Sequence, residues 1–289
     1  MRTLTLPDLT AEDLFSKAVC MTLSLRKIGL QRRAKIKVKS KADQNMFKIT
    51  KVIVSCPEYD RIVLLDSQIR RQLHRYDLPA KIGHGMALVP ASCLQQLSHL
   101  IDDFRGQRAA LIDAFSAVYH ERKEDARDRL KDEFDAKEYP TLAEIRDSFR
   151  FDIQFMTFDL PGVLSSIDET MAERERERMA EKFKIIGEDI RDGLRELVKG
   201  LVDHLLEKLS PDSDGKPKVL RASALNNLTT FLTEFEGRNI SNDQELEKLV
   251  AQLRTTLQGV TPRTLKKDET FQGIVRTSLT SVRNQLDTL

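Results

Sequence analysis

The spacing of hydrophobic residues changes once along this chain, near residue 92. Before that point apolar and polar positions mostly alternate, as at Val19, Met21, Leu23 and Leu25, which predicts short strands around one helix at residues 59–76. After it, apolar residues recur every three or four positions over long distances, which predicts very long amphipathic helices. The expected fold is α+β and predominantly helical, with a small antiparallel β-sheet.

Two long helices are predicted, at residues 92–135 and 163–209, and a phenylalanine-rich strand at residues 148–160 separates them. A capping box at Thr141 and Glu144 predicts a short helix just before this strand. The simplest packing is a long antiparallel helical hairpin over residues 92–209, interrupted by the strand.

The second long helix repeats its apolar pattern every eleven residues. This period is close to the natural helical pitch, so it predicts nearly straight packing rather than a left-handed zipper. We expect this seam to contact a partner helix. Its predicted members are Phe183, Ile186, Ile190, Leu194, Leu197, Leu201 and Leu205.

Linker-type residues at 210–217, rich in Ser, Pro, Asp and Gly, follow the second long helix. Three shorter amphipathic helices are predicted beyond them and could form a C-terminal helical bundle. The sequence therefore predicts three consecutive regions: residues 1–91 with a basic β-hairpin, residues 92–209 with the helical hairpin, and residues 218–289.

Positive charge is concentrated between residues 26 and 51. This segment has ten Lys and Arg residues and one acid, Asp43, so it carries +9 in a chain whose net charge is +2. Cations alternate with other residues along 32–41, which predicts a hairpin with cations on one face and Ile36 and Val38 anchoring the other.

Such a face could bind the phosphates of nucleic acid or the acidic surface of a partner. An equally weighted alternative is that the lysines protect an exposed edge strand from aggregation. The lack of interleaved aromatic residues argues against a platform that stacks bases. The candidate binding residues are Arg32, Arg33, Lys35, Lys37, Lys39, Lys41, Lys48 and Lys51.

Sequence motifs for catalysis or cofactor binding are missing. The five histidines have no metal-binding spacing, and neither a glycine-rich phosphate loop nor a G-x-S-x-G nucleophile motif occurs. We therefore expect no catalytic residues, no metal and no cofactor, and a protein that is not an enzyme. Three widely spaced cysteines and the lack of a long apolar run favour a reducing, cytoplasmic location without membrane contact.

The order of elements and several short motifs resemble a bacterial and phage family of unknown function, whose genes often lie beside MoxR-type AAA ATPases and von Willebrand factor A proteins. The similarity covers most of residues 55–260, and the basic hairpin departs from it. It is carried by Phe104 and by residues 88–90, 115–119, 139–141 and 149–155.

This resemblance implies a non-enzymatic accessory of an ATPase in mobile-element or phage biology. Together with the helical seam, it favours an adaptor or assembly subunit that binds a protein partner, either an AAA ATPase or a second copy of itself. The alternative function is sequence-independent binding of nucleic acid through the hairpin at residues 26–51.

Overall fold

The structure, a computed structural model, describes residues 14, 16–36, 42–43, 46–157, 169–211 and 222–289, without the side chain of Lys266. The chain is an α+β protein, mostly helical, with a small antiparallel sheet, which confirms the predicted fold class. Its principal elements, in chain order, are β1 Ala18–Arg26, β2 Gln31–Arg33, β3 Thr50–Val52, α1 Pro57–His74, β4 Met86–Pro90, α2 Leu94–Leu130, α3 Leu142–Ser148, β5 Arg150–Met156, α4 Glu169–Leu209, α5 Ala222–Arg238, α6 Gln244–Leu257, α7 Pro262–Lys267 and α8 Glu269–Leu286.

The strands of the described residues form two separate sheets. One has three strands in the order β4-β1-β5, and the other is a two-stranded ribbon of β2 and β3. Contacts divide the chain into a first unit, made of Met1–Met21, Asp77–Leu94 and Phe155–Leu289, and a second unit, made of Thr22–Tyr76 and Gln95–Gln154. Both units are discontinuous in sequence, whereas the prediction was three consecutive regions.

The core of the first unit is a helical bundle. Helix α4 packs against α5 and α8, and α8 also packs against α6. The C-terminal helices therefore share one hydrophobic core with α4, which is why residues 155–289 group together. The buried face of α4 consists of Ala172, Phe183, Ile186, Gly187, Ile190, Leu194, Val198, Val202, Leu205 and Leu209.

The predicted seam is this buried face, with one correction. Leu197 is 43% exposed, and Val198 occupies the buried position instead. The reason is the helical pitch: four residues after Leu194 the chain returns to the same face, whereas three residues fall short of it. Leu201 is only partly buried against the core.

Helices of the same chain cover the seam. Residues of α5 and α8, including Phe231, Phe235 and Leu279, belong to the same buried cluster as Ile190 and Leu205. The prediction that the seam is a docking surface for another protein is therefore wrong, because its apolar area is already removed from water within the first unit.

Gly193 on α4 gives a test of this packing. A methyl group added there would lie 2.5 Å from Cβ of Pro79, whereas one added at Gly200 would meet nothing within 4 Å. Gly200→Ala should therefore stabilise the protein by up to about 1 kcal/mol through helix propensity. Gly193→Ala should destabilise it by about 1–3 kcal/mol through overpacking. Urea denaturation of both variants measures the difference, and equal stabilisation by the two alanines would contradict the packing described.

The core of the second unit is built from α1, α2 and the chain around the ribbon. Phe115 and Tyr119 of α2 are fully buried, and their rings lie 5.9 Å apart in an edge-to-face arrangement. Leu30, Ile53 and Ile62 bury their side chains in the same cluster. The ribbon is therefore anchored to the helices by apolar residues at its base.

A buried ion pair joins the helices of this unit. Nε of Arg108 on α2 donates to Oδ1 of Asp66 on α1 at 2.8 Å, and Nη2 of Arg108 donates to the carbonyl oxygen of Arg26 at 2.8 Å. Both side chains are almost fully buried. The charge–charge contact therefore also fixes the end of β1, from which the chain enters the ribbon.

Candidate functional site

The basic segment, residues 26–51, contains the two strands of the ribbon, β2 and β3. The strands pair antiparallel in the register Gln31↔Val52, Arg32↔Lys51 and Arg33↔Thr50. The N–H of Ala34 donates to the carbonyl oxygen of Ile49 at 2.9 Å, which continues the same register by one pair. Because side chains alternate between faces along a strand, the next pair, Lys35 and Lys48, lies on the same face as Arg33 and Thr50.

The inner face of the ribbon holds a buried cation. Lys51 is only 7% exposed. Its Nζ lies 2.7 Å from Oε2 of Glu138 and also donates to the carbonyl oxygen of Glu133. The prediction that Lys51 binds an external partner is therefore wrong, because its ammonium is already paired inside the second unit.

Arg32, which pairs with Lys51 across the ribbon, also has a side chain that makes hydrogen bonds within the chain. Its Nη1 donates to the carbonyl oxygens of Gly29 at 2.8 Å and Gln31 at 2.9 Å, and its side chain is half-buried. Alternation along the sequence could not separate these two cations from the others, because the groups that bind Lys51 come from residues more than eighty positions away.

Replacing Lys51 tests this inner contact. Lys51→Met should lower the free energy of unfolding by roughly 2–3 kcal/mol, because the Glu138 carboxylate loses its counter-ion and the Glu133 carbonyl loses its hydrogen-bond donor. Lys48→Met, an exposed neighbour on the opposite face, should stay within about 0.5 kcal/mol of the parent. Thermal and urea denaturation of both variants provide the measurement. If the two methionines had the same effect, the burial of Lys51 would be refuted.

The outer face carries the accessible cations. Arg33, Lys35 and Lys48 are all exposed, and Lys35 lies opposite Lys48 in the extended register. Like charges facing each other across a strand pair repel. Nζ of Lys35 lies 3.9 Å from Oδ2 of Asp135, but its side chain is 77% exposed, so water screens this contact. Among the described residues no acid forms an ion pair with Arg33 or Lys48.

The remaining predicted cations, Lys37, Lys39 and Lys41, lie outside the described residues, as does Val38. Ile36 was predicted to anchor the ribbon, but it is 57% exposed, so that prediction is wrong. Pairing of the two strands continues past Arg33 to the hydrogen bond between Ala34 and Ile49, and Ile36 lies beyond that bond, where alternation no longer determines which side is buried.

Exposed apolar side chains accompany the cations. Met46, Phe47 and Val52 are exposed, and Phe47 immediately precedes Lys48. The sequence therefore does offer one aromatic ring within the basic segment, which the search for interleaved aromatics overlooked. A ring of this kind gives a surface on which a planar group can stack.

A cleft of about 540 Å³ opens beside the Gln31–Val52 end of the ribbon; we call it the ribbon cleft. Apolar side chains and a short polar rim make up its wall. Its lining residues are Lys27, Gly29, Leu30, Gln31, Val52, Val54, Ser55, Tyr59, Asp60 and Val63. They come from three separate segments, and no sequence pattern indicated that they meet.

Tyr59 is held firmly in the wall of the ribbon cleft. Its hydroxyl donates to the carbonyl oxygen of Ile28 at 2.5 Å, and its ring packs on Phe115 with centroids 5.5 Å apart. Burial raises the pKa of this hydroxyl, with the nearby carboxylates of Asp66 and Asp60 adding to the effect. The cleft therefore has a rigid, neutral aromatic wall at physiological pH.

Other groups with potential chemistry are dispersed. Within the described ranges, no set of three or more His, Cys, Asp or Glu side chains is arranged to hold a metal ion. Cys20, Cys56 and Cys93 are free and buried, and burial raises the pKa of Cys20 to about 11. In the part of the chain that the structure covers, no helix is long and apolar enough to cross a membrane.

Comparisons with protein-family models, curated proteins and solved structures found no match to this chain. The resemblance to the family encoded beside MoxR-type ATPases therefore stays a prediction from short motifs.

Proposed function

We propose that this protein is a non-enzymatic binding protein that contacts the phosphate backbone of nucleic acid through the outer face of its ribbon. The observation that carries the proposal is the exposure of Arg33, Lys35 and Lys48, which the register of β2 and β3, extended by the Ala34–Ile49 hydrogen bond, puts on one face of the ribbon. Three cations on one exposed face repel one another, and a bound polyanion removes that repulsion. Contacts with phosphates do not depend on the nucleotide sequence, so flexible lysine side chains are able to make them.

Protection of an exposed edge strand from aggregation explains the positive charge of the ribbon less well. Strand β2 has three residues and β3 has three residues, and strands this short already offer little edge for aggregation. Three or four lysines would suffice for such a role, whereas the segment carries +9. The rest of the second unit does not require this charge for solubility, because acids and bases are mixed along α2 and its following turns.

Charge is also separated between the units. Lys and Arg outnumber Asp and Glu in the second unit, whereas acids are in excess in the first unit. A nucleic acid is therefore attracted to one part of the molecule in preference to the other.

The α4 seam does not support the adaptor hypothesis. That hypothesis offered the long helices to a protein partner and the basic hairpin to an acidic surface, and the seam packs on α5 and α8 of the same chain. An accessory role beside an AAA ATPase would need a different contact surface. For this reason the ribbon, not the seam, supports the proposed function.

Salt dependence tests the proposal. The intact protein should bind a fluorescent oligonucleotide at low salt, and its affinity should fall as salt rises. Replacing Arg33, Lys35 and Lys48 together with glutamine should reduce the slope of log affinity against log salt by about 2, since each phosphate contact on a single strand contributes about 0.7. Fluorescence anisotropy between about 20 and 200 mM salt covers the useful range.

A matched control removes three exposed cations from α4 of the first unit: Arg174→Gln, Lys182→Gln and Lys184→Gln. It changes the net charge equally and should leave the salt slope unaltered. The proposal is overturned if the parent protein does not bind at low salt, or if both triple variants lose the same amount of affinity.

A further inference from the structure

We infer that the nucleic acid is single-stranded and that one of its bases enters the ribbon cleft while the neighbouring phosphates lie along the outer cations. This inference rests on the proposed function and specifies its ligand. It starts from the position of Gln31 and Val52, which form the first pair of the ribbon and also line the cleft.

The cleft and the cations share one continuous surface. Gln31, Arg33 and Lys35 occupy successive outward positions, as do Val52, Thr50 and Lys48 on the other strand. At about 3.4 Å per residue, the Lys35–Lys48 pair lies roughly 14 Å along the ribbon from the mouth of the cleft. A strand of a few nucleotides spans such a distance. When one base lies in the cleft, the neighbouring phosphates therefore lie over Arg33, Lys35 and Lys48.

The chemistry of the cleft matches a nucleobase. Leu30, Val54 and Val63 supply apolar walls for the faces of a planar ring, and Tyr59 adds a rigid aromatic side. Its volume of about 540 Å³ is that of a small-molecule site. Single-stranded bases are recognised in this way, by stacking on their faces and hydrogen bonds at their edges.

The polar rim supplies those edge contacts. Gln31 offers an amide, Ser55 a hydroxyl and Asp60 a carboxylate, and each of these groups can pair with the edge of a base. Asp60 favours a neutral base as the group that enters the cleft. Its carboxylate accepts hydrogen bonds from the amino group of a base, but it repels an anion, whether a phosphate or an acidic side chain, that enters the cleft.

A duplex is a poorer ligand for this arrangement. Its bases are paired and stacked, and extracting one costs a few kcal/mol. A single strand already exposes its bases. Phe47, exposed beside Lys48, provides a further ring on which a neighbouring base can stack. Preference for single strands is therefore the property that distinguishes base insertion from contact with phosphates alone.

Gly29 allows the cleft to be filled without disturbing its walls. It lines the cleft, and a Cβ added there meets no heavy atom within 4 Å. Gly29→Leu should therefore add a bulky apolar side chain at the wall of the cleft without a clash at its Cβ, and narrow the space left for a base. Gly106→Leu is the matched control, because Gly106 is exposed on α2 in the same unit and its added Cβ also meets nothing.

The experiment measures affinity for a twelve-nucleotide single strand and for a duplex of the same sequence at fixed low salt, with circular dichroism confirming that each variant is folded. The parent protein should prefer the single strand by about tenfold or more. Gly29→Leu should lose about that factor for the single strand, keep its duplex affinity and keep its salt slope. Gly106→Leu should match the parent in every measurement.

Different failures have different meanings. Equal, salt-dependent binding of single strand and duplex by the parent would overturn base insertion and leave the proposed function standing. Unchanged single-strand affinity in folded Gly29→Leu would overturn the role of the cleft. Binding of an acidic peptide in the absence of any oligonucleotide binding at low salt would overturn both the inference and the proposed function.

Discussion

The direction in which the basic ribbon faces depends on one buried ammonium group. Lys51 is held between the Glu138 carboxylate and the Glu133 carbonyl, away from water. Because the side-chain period of a strand is two residues, this inward position forces its neighbours Thr50 and Val52 outward. A slip of one residue would bring neutral Thr50 or Val52 inward and leave the Glu138 carboxylate without its counter-ion and the Glu133 carbonyl without its donor, so the loss of these contacts disfavours the slip.

Polar side chains of the helices hold the backbone segment that leads into the ribbon. Arg108 binds both Asp66 and the carbonyl of Arg26, and Tyr59 binds the carbonyl of Ile28 two residues later. These bonds hold the segment leading into β2 at two points. They also determine the ribbon cleft, since Tyr59 is at once a support and part of the cleft wall. The ribbon is therefore supported by Arg108, which does not line the cleft, and by Tyr59, which does.

Features set by local patterns could be predicted from the sequence. The long helices follow from apolar periodicity over many turns, and the capping box of Thr141 and Glu144 is present because its two members lie within one turn. The Thr141 backbone N–H and hydroxyl donate to the Glu144 carboxylate, and these bonds lower its pKa. Leu197 was assigned to the wrong face because steps of three and four residues are both compatible with the repeat.

Features set by distant partners could not be predicted. Nothing in the spacing of the cations between residues 26 and 51 distinguishes Lys51, which meets Glu138, from Lys48, which faces solvent. The ribbon cleft likewise requires residues from β2, β3 and α1 to converge, and its lining has no regular spacing in the chain. The sequence located the basic segment correctly, but only tertiary packing divides its cations into structural and accessible ones.

Amine modification followed by mass spectrometry tests that division most directly. We expect Lys35 and Lys48 to react rapidly with an acylating reagent in the free protein and to become protected when a single-stranded oligonucleotide is added. Lys51 should stay unreactive in both conditions until the protein unfolds. Reaction of Lys51 as fast as Lys48 in the native protein, or unchanged labelling of Lys35 and Lys48 at saturating oligonucleotide, would contradict the division of the ribbon into a buried and a binding face.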